Sequence, residues 1–102
     1  MDETELIRHQ ILQLAREIPL GRVISYGALG KRADPPVSGY ICGRIMGQVM
    51  DDVPWWRIVG KDGLLPIGKR GPEHAARQRE LLTSEGVDFD ENGAISRRFF
   101  ED

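Results

Sequence analysis

Pro54-Trp55-Trp56-Arg57 is the most unusual local run of this chain. In an extended segment successive side chains point to opposite faces. One indole can then join the core while the other lines a pocket and offers a stacking or edge contact to an extruded base; the alternative is that both lie in the core. A second group of interest lies at Gly43, Arg44 and Gly47, inside a predicted helix. A glycine in a helix interior costs on the order of 1 kcal/mol relative to alanine. Either the bare backbone lets this helix approach a narrow surface such as a DNA groove, or it packs closely against another helix. Arg44, between them, reaches phosphates or enters a base stack, or is an ordinary exposed arginine lying along the surface. The common enzymatic machinery is not marked. His9 and His74 have no cysteine or carboxylate partner at ligand spacing. The single cysteine, Cys42, makes neither a zinc pattern nor a disulfide. No glycine-rich phosphate loop or catalytic triad is signalled. These residues point to binding rather than turnover, with no metal or cofactor expected.

A chain of 102 residues fits one domain, taken here as 1–102. Apolar content of 40% and charged content of 29% argue against both disorder and a membrane protein. No apolar run is long enough to span a bilayer, and the acidic start, Met1 to Glu5, lacks a signal-peptide pattern. One cysteine fits a reducing compartment, so an intracellular, cytoplasmic or DNA-associated location is expected. The net charge of −2 hides an asymmetry: residues 16–79 carry eleven Lys and Arg against six Asp and Glu, the two ends three against ten. A basic middle permits a DNA-facing patch, although the same charges scattered over a solvated surface would give the same count.

The elements that must position these residues follow from the patterning. Thr4 is the expected cap of a first helix, with Ile7, Ile11, Leu14, Ala15 and Ile18 on its buried face. Pro19-Leu20-Gly21 reads as a turn and Val23-Ile24 as a short extended piece. Ser25 caps a second helix over Tyr26 to Ala33, ended by Asp34-Pro35-Pro36. Ser38 caps a third helix running to about Met50. Ile41, Ile45 and Val49 form its inner stripe, and Tyr40, Gly43, Arg44 and Gly47 its outer one. Two short helices and a tight link resemble a helix-turn-helix. Trp56 to Val59, the turn Gly60-Lys61-Asp62-Gly63, and Leu64-Leu65 make a plausible hairpin, the wing of a winged helix. Pro72 opens a fourth helix that ends at Gly86, with Ala75, Ala76, Arg79 and Leu82 inward. The tail, 87–102, adds a last hairpin around Asn92-Gly93. The expected fold is mainly α with a small β-hairpin wing, a winged helix-turn-helix-like domain.

In that order and spacing the chain resembles the C-terminal, DNA-binding domain of O6-alkylguanine-DNA alkyltransferases. It looks most like the alkyltransferase-like proteins, in which tryptophan replaces the reactive cysteine. The matching stretches are Ile18-Pro19-Leu20-Gly21-Arg22-Val23-Ile24-Ser25-Tyr26-Gly27, Gly43-Arg44-Ile45-Met46-Gly47 and Pro54-Trp55-Trp56-Arg57-Ile58-Val59. Asp62-Gly63 and Leu81-Leu82 through Glu85-Gly86 follow, so the resemblance covers 5–86. It implies that Arg44 is the arginine finger filling the gap left by a flipped nucleotide. Tyr26 is then the tyrosine that crowds the nucleotide's phosphate, and Trp55 stands at the alkyl-acceptor cysteine. Trp56 stands where histidine is usual, and Glu85 at the glutamate that ends the activating relay. Arg57, in the same motif, is expected to be structural. Tyr26, Tyr40, Gly43, Arg44 and Gly47 form the implied DNA contact, with the third helix in the minor groove. Tyr26, Trp55, Leu65 and Gly68 form the implied lesion pocket. The rim from Leu65 to Gly71 differs from the enzymes and is expected to admit larger adducts.

Alkyl transfer needs a thiolate nucleophile, whereas an indole is a poor nucleophile with a donor-only N–H. The resemblance with this substitution therefore implies no enzyme. It implies recognition of O6-alkylguanine lesions in duplex DNA by nucleotide flipping, with the complex flagging the damage to nucleotide excision repair proteins. No membrane is involved and a monomer is expected. Three alternatives stay open at this point: an active alkyltransferase with an unconventional acceptor such as Cys42, a winged-helix transcription regulator reading unmodified sequence, and an interaction module that does not bind DNA.

Overall fold

The computed structural model describes residues 1–65 and 71–102. Among them are four α-helices: α1 (Glu3–Arg16), α2 (Tyr26–Lys31), α3 (Gly39–Met46) and α4 (Gly71–Ser84). Two short strands, β1 (Ile24–Ser25) and β2 (Ile58–Val59), pair in parallel with Ile24 opposite Ile58 and Ser25 opposite Val59. Gly68 and the rest of 66–70, part of the expected pocket rim, lie outside the described residues.

The strand pair divides the interior. Ile24 and Ile58 enter a first cluster with Ile11, Ala15, Leu29 and Trp55. Val23 and Val59, their chain neighbours, enter a second with Leu82, Val87, Ile95 and Phe100. This is the alternation that a strand imposes on consecutive side chains.

The caps at Ser25 and Ser38 are in place. Ala28 N–H donates to Ser25 Oγ at 3.2 Å and Ile41 N–H to Ser38 Oγ at 3.2 Å. Each hydroxyl satisfies a helix-end donor that would otherwise lack a partner. The first helix differs: Asp2, not Thr4, is its cap, with Glu5 N–H 2.9 Å from Asp2 Oδ1. A carboxylate at this end also complements the helix dipole.

α3 is shorter than the periodicity predicts, and its inner stripe is only partly the expected one: Val49 is buried and Ile45 packs against the first cluster, but Ile41 does not join them. Past Met46 the chain tightens into three-residue turns, Gln48 N–H to Ile45 O and Val49 N–H to Met46 O, beginning at the helix-weak Gly47. Cys42 and Met46 are buried, whereas Ile41 is 38% exposed. Gly39 decides this rotation. A Cβ there would lie 3.0 Å from Gly27 N and 3.2 Å from Gly27 Cα, tighter than ordinary contact, so glycine lets α3 dock closely on the start of α2 without displacing its backbone. That contact turns the positions three and seven residues on, Cys42 and Met46, into the core.

The tryptophan pair does not start a strand. Trp55–Arg57 is a 3-10 turn, closed by Arg57 N–H to Pro54 O at 3.1 Å and Ile58 N–H to Trp55 O. After β2 the chain does turn back as the wing requires, with Gly60 N–H donating to Leu64 O at 3.0 Å. The regular pairing of β2, however, is with β1. α4 turns Gln78 and Leu82 inward rather than Ala76 and Arg79, which are exposed. The tail forms its hairpin, with Phe89 bridged to Ile95 and Gly93 at φ 79°. It then continues alongside β1: Val23 N–H donates to Phe99 O at 2.9 Å and Glu101 N–H to Val23 O at 2.7 Å.

Candidate nucleic-acid interface

The link between α2 and α3 is held from two sides. Gln10 on α1 clamps Asp34 through a reciprocal pair, Nε2 to Asp34 O and Asp34 N–H to Oε1, both 2.9 Å. Val37 N–H donates to Gly30 O at 3.0 Å, and a Cβ on Gly30 would stand 2.2 Å from Val37 O. The glycines that permit close packing are therefore Gly30 and Gly39, which the sequence reading passed over. Gly43 and Gly47 behave differently. The nearest foreign atom to a Cβ on Gly43 is Tyr26 Cδ1 at 4.0 Å, and a Cβ on Gly47 would meet only its own helix. At Gly43 the neighbour is the Tyr26 ring of α2 at ordinary van der Waals distance, so this position is not one of tight backbone packing as Gly30 is.

The outer face of α3 is thus low and exposed. Tyr40 stands at its first turn with 72% of its surface exposed. Arg44, one turn on, is also exposed, its guanidinium carbon 6.0 Å from the Tyr40 ring centre. Tyr26 opens α2 beside Gly43, half-buried against the first cluster. One surface therefore holds Tyr26, Tyr40, Gly43, Arg44 and Gly47.

Trp55 and Trp56 diverge at 87° with ring centres 5.8 Å apart. Trp55 is 5% exposed, in the cluster that Tyr26 also touches. Its Nε1–H donates to Asp51 Oδ1 at 3.0 Å, and His74 of α4 stacks on it at 4.1 Å between ring centres. Asp51 also pairs with Arg77 of α4. These hydrogen bonds, from Trp55 first and then from Arg77, hold the Asp51 carboxyl below its ordinary range. Neither Asp51 nor His74 stands out in the sequence; a carboxylate four residues before a tryptophan is no motif. Leu65, expected beside Trp55, packs instead against the second cluster.

Trp56 is half-buried and touches both clusters. Its Nε1–H donates to Glu85 Oε2 at 2.7 Å. Arg57 reaches the same carboxylate through Nε at 3.0 Å and Nη2 at 2.8 Å, and it also donates to Ile18 O at 2.9 Å. Gly21 N–H adds a further bond to Glu85 at 3.1 Å. Burial alone would raise the Glu85 pKa, but the donors Arg57, Trp56 and Gly21 outweigh it and leave the carboxyl below its ordinary value. Glu85 is therefore a structural hub tying α4, the Trp-Trp-Arg turn and the end of α1 together, with Arg57 as its charge partner. Gln78 completes the scaffold: it is buried, and its Nε2 donates to Trp56 O and Ile58 O, each at 3.1 Å.

Cys42 is fully buried in α3, and desolvation pushes its thiol up to about 11. At neutral pH it is protonated, and the thiolate is the nucleophilic form.

The model of the 6-O-methylguanine DNA methyltransferase, DNA binding domain, matches residues 7–87. A DNA base-flipping protein of Vibrio parahaemolyticus serotype O3:K6 (strain AQ3810) is 29% identical over 94 residues, 90% of this chain and 91% of that protein. A DNA base-flipping protein of Escherichia coli (strain K12) is 29% identical over 97 residues, 93% of this chain and 73% of that protein. Among solved structures, S. pombe Atl1 in complex with damaged DNA containing O6-carboxymethylguanine superposes with a TM-score of 0.82 at 21% identity, covering 100% of this chain and 99% of that one. At that identity the likeness is one of fold.

Proposed function

This chain belongs to the 6-O-methylguanine DNA methyltransferase DNA-binding domain family, and from that premise we propose that it binds O6-alkylguanine in duplex DNA, turns the damaged nucleotide out, and leaves the alkyl group in place. The observation that carries this reading is the outer face of α3. Gly43 costs helix stability and has only the Tyr26 ring of α2 near it, and with Gly47, the cap that ends α3, it flanks an exposed arginine. A face of that shape suits a groove, and its cation suits phosphates. The relatives named as base-flipping proteins and the likeness to a structure bound to damaged DNA support the same reading.

The non-enzymatic part rests on the site's chemistry. Trp55 takes the place of the alkyl acceptor, with its N–H committed to Asp51. Trp56 takes the place of the relay histidine and donates to Glu85, but an indole cannot shuttle a proton as imidazole does. Cys42, the other conceivable acceptor, is buried and protonated. The protein then acts by holding the lesion as a monomer and presenting it to nucleotide excision repair proteins.

Tryptophan fluorescence during titration with a short duplex, with and without one O6-methylguanine at fixed salt, tests this. Trp55 reports a base arriving at its ring. Tighter binding and a spectral change specific to the modified duplex are expected, with no added methyl mass on the protein afterwards. A methyl adduct would make the chain a transferase. Equal, weak, salt-sensitive binding to both duplexes would leave only general DNA affinity.

A further inference from the structure

We propose that the His74 imidazole covers the face of Trp55 on which an extruded base stacks, and that the base takes its place when it arrives. The inference rests on the base-flipping reading above and adds to it the step by which the pocket opens.

Trp55 is only 5% exposed, so a base can reach its ring only where a group already against it gives way. Three of the side chains around it differ in how firmly they are held. Trp56 meets it edge-on at 87° and is itself tied down, by its Nε1–H to Glu85 at 2.7 Å and by its carbonyl oxygen to Gln78. Asp51 meets its edge and accepts its Nε1–H at 3.0 Å. His74 lies on its face, with 4.1 Å between ring centres and 21° from parallel. That is the place and tilt a stacked base would take, and two flat rings in contact leave no room for a third between them.

His74 is also the neighbour best able to leave. It is half-buried in the first turn of α4, where a side-chain rotation reaches solvent without crossing the core. What registers it over the indole is Arg77, one turn on along the same face of α4, through its ion pair with Asp51. The two side chains of that pair are 54% and 58% exposed, and exposed pairs hold weakly. Trp55 is anchored by Asp51 and by the packing of the first cluster, so the indole stays as a wall for the base when the imidazole swings away. Until then the imidazole keeps that face from losing its contacts. Such a stack sets a threshold. Apparent affinity is reduced by the fraction of molecules in the open arrangement, and a damaged base, which leaves its own stack at least cost, crosses the threshold most readily.

The test uses the full chain and two short duplexes, one unmodified and one with a single O6-methylguanine, at fixed salt. His74→Ala is expected to bind the lesion duplex about three- to tenfold more tightly than the parent, the range that one ring stack covers. On the unmodified duplex it should stay within about twofold. His74→Phe, which keeps a flat ring on the indole, should bind the lesion no more tightly than the parent. Acrylamide should quench the tryptophan emission of the His74→Ala protein more strongly than that of the parent. The lesion duplex should remove that difference, because the base then covers Trp55 in both. Weaker or unchanged lesion binding by His74→Ala would overturn the inference, as would an equal gain on both duplexes or a Phe variant that gains as much as the Ala variant. If the parent shows no preference for the lesion, the base-flipping reading fails first and takes this inference with it. A parent that prefers the lesion, with no gain in His74→Ala, overturns this inference alone.

Discussion

Glu85 is held in place by its donors: Trp56 and Arg57 donate to it and Gly21 N–H adds a third contact. Its side chain is only 9% exposed, and that of Arg57 14%. Breaking such a pair leaves a charge with poor access to water, so Glu85→Gln should destabilise the fold by about 2–3 kcal/mol at pH 7. The pH dependence has a definite sign. The donors outweigh desolvation and hold the Glu85 carboxyl below its ordinary value of 4.5. Its contribution is therefore complete above that value and is lost as pH falls through the lower folded value. Urea denaturation at pH 7 and again near pH 3 should show the gap between parent and variant closing in acid. A gap of the same size at both would mean that the carboxylate charge is not what matters.

At the scale of elements, two kinds of glycine do opposite work. Gly30 and Gly39 let backbones meet, whereas Gly43 and Gly47 keep a face bare. Gly30→Ala places a methyl 2.2 Å from Val37 O, so the link between α2 and α3 must move, at a cost of about 1–3 kcal/mol. Gly43→Ala meets nothing closer than 4.0 Å outside its own helix and should stabilise the protein by about 0.5–1 kcal/mol through helix propensity. The same variant should bind duplex more weakly, because the added methyl holds the groove away. Thermal melts and duplex titration of both variants check this. A Gly43→Ala protein that gains stability and keeps full affinity would show that α3 does not approach DNA closely at that position. Gln78 belongs to this scale as well. A polar residue on the buried face of α4 looks misplaced in a hydrophobic pattern, yet it caps the carbonyls of Trp56 and Ile58 and so fixes the Trp-Trp-Arg turn on its helix.

The whole molecule is closed by its tail. Arg22 donates to Arg98 O and Phe100 O, both at 2.9 Å, and to Glu101 at 2.8 Å. Asp102 accepts from Ser25 N–H at 2.9 Å and Ser25 Oγ at 2.6 Å, so the cap of α2 is itself anchored by the end of the chain. Phe100, 8% exposed, fills the second cluster under the Arg97 guanidinium. Phe100→Ala should cost about 3 kcal/mol in denaturant unfolding. Its effect on lesion binding at low temperature should be small, since the second cluster lies behind β1 and β2 from α3. A large loss of affinity with little loss of stability would place the tail in the interface instead.

The amino-acid sequence by itself determined the caps at Ser25 and Ser38, the apolar face of α1, the hairpin at Asn92-Gly93 and the family to which the ordered motifs point. These depend on local chemistry: a hydroxyl one residue before a helix, a 3.6-residue period, a glycine at positive φ. It also marked the outer face of α3 through the cost of its glycines. Only the tertiary structure decided which stripe of α3 faces inward, because the choice between Ile41 and Cys42 turns on the Gly39–Gly27 contact. It decided equally that the tryptophan pair forms a turn, that Trp55 is held between Asp51 and His74, and that Glu85 gathers Trp56, Arg57 and Gly21. Each of these joins residues far apart in the chain or set by a docking angle, and neither propensity nor spacing carries that information.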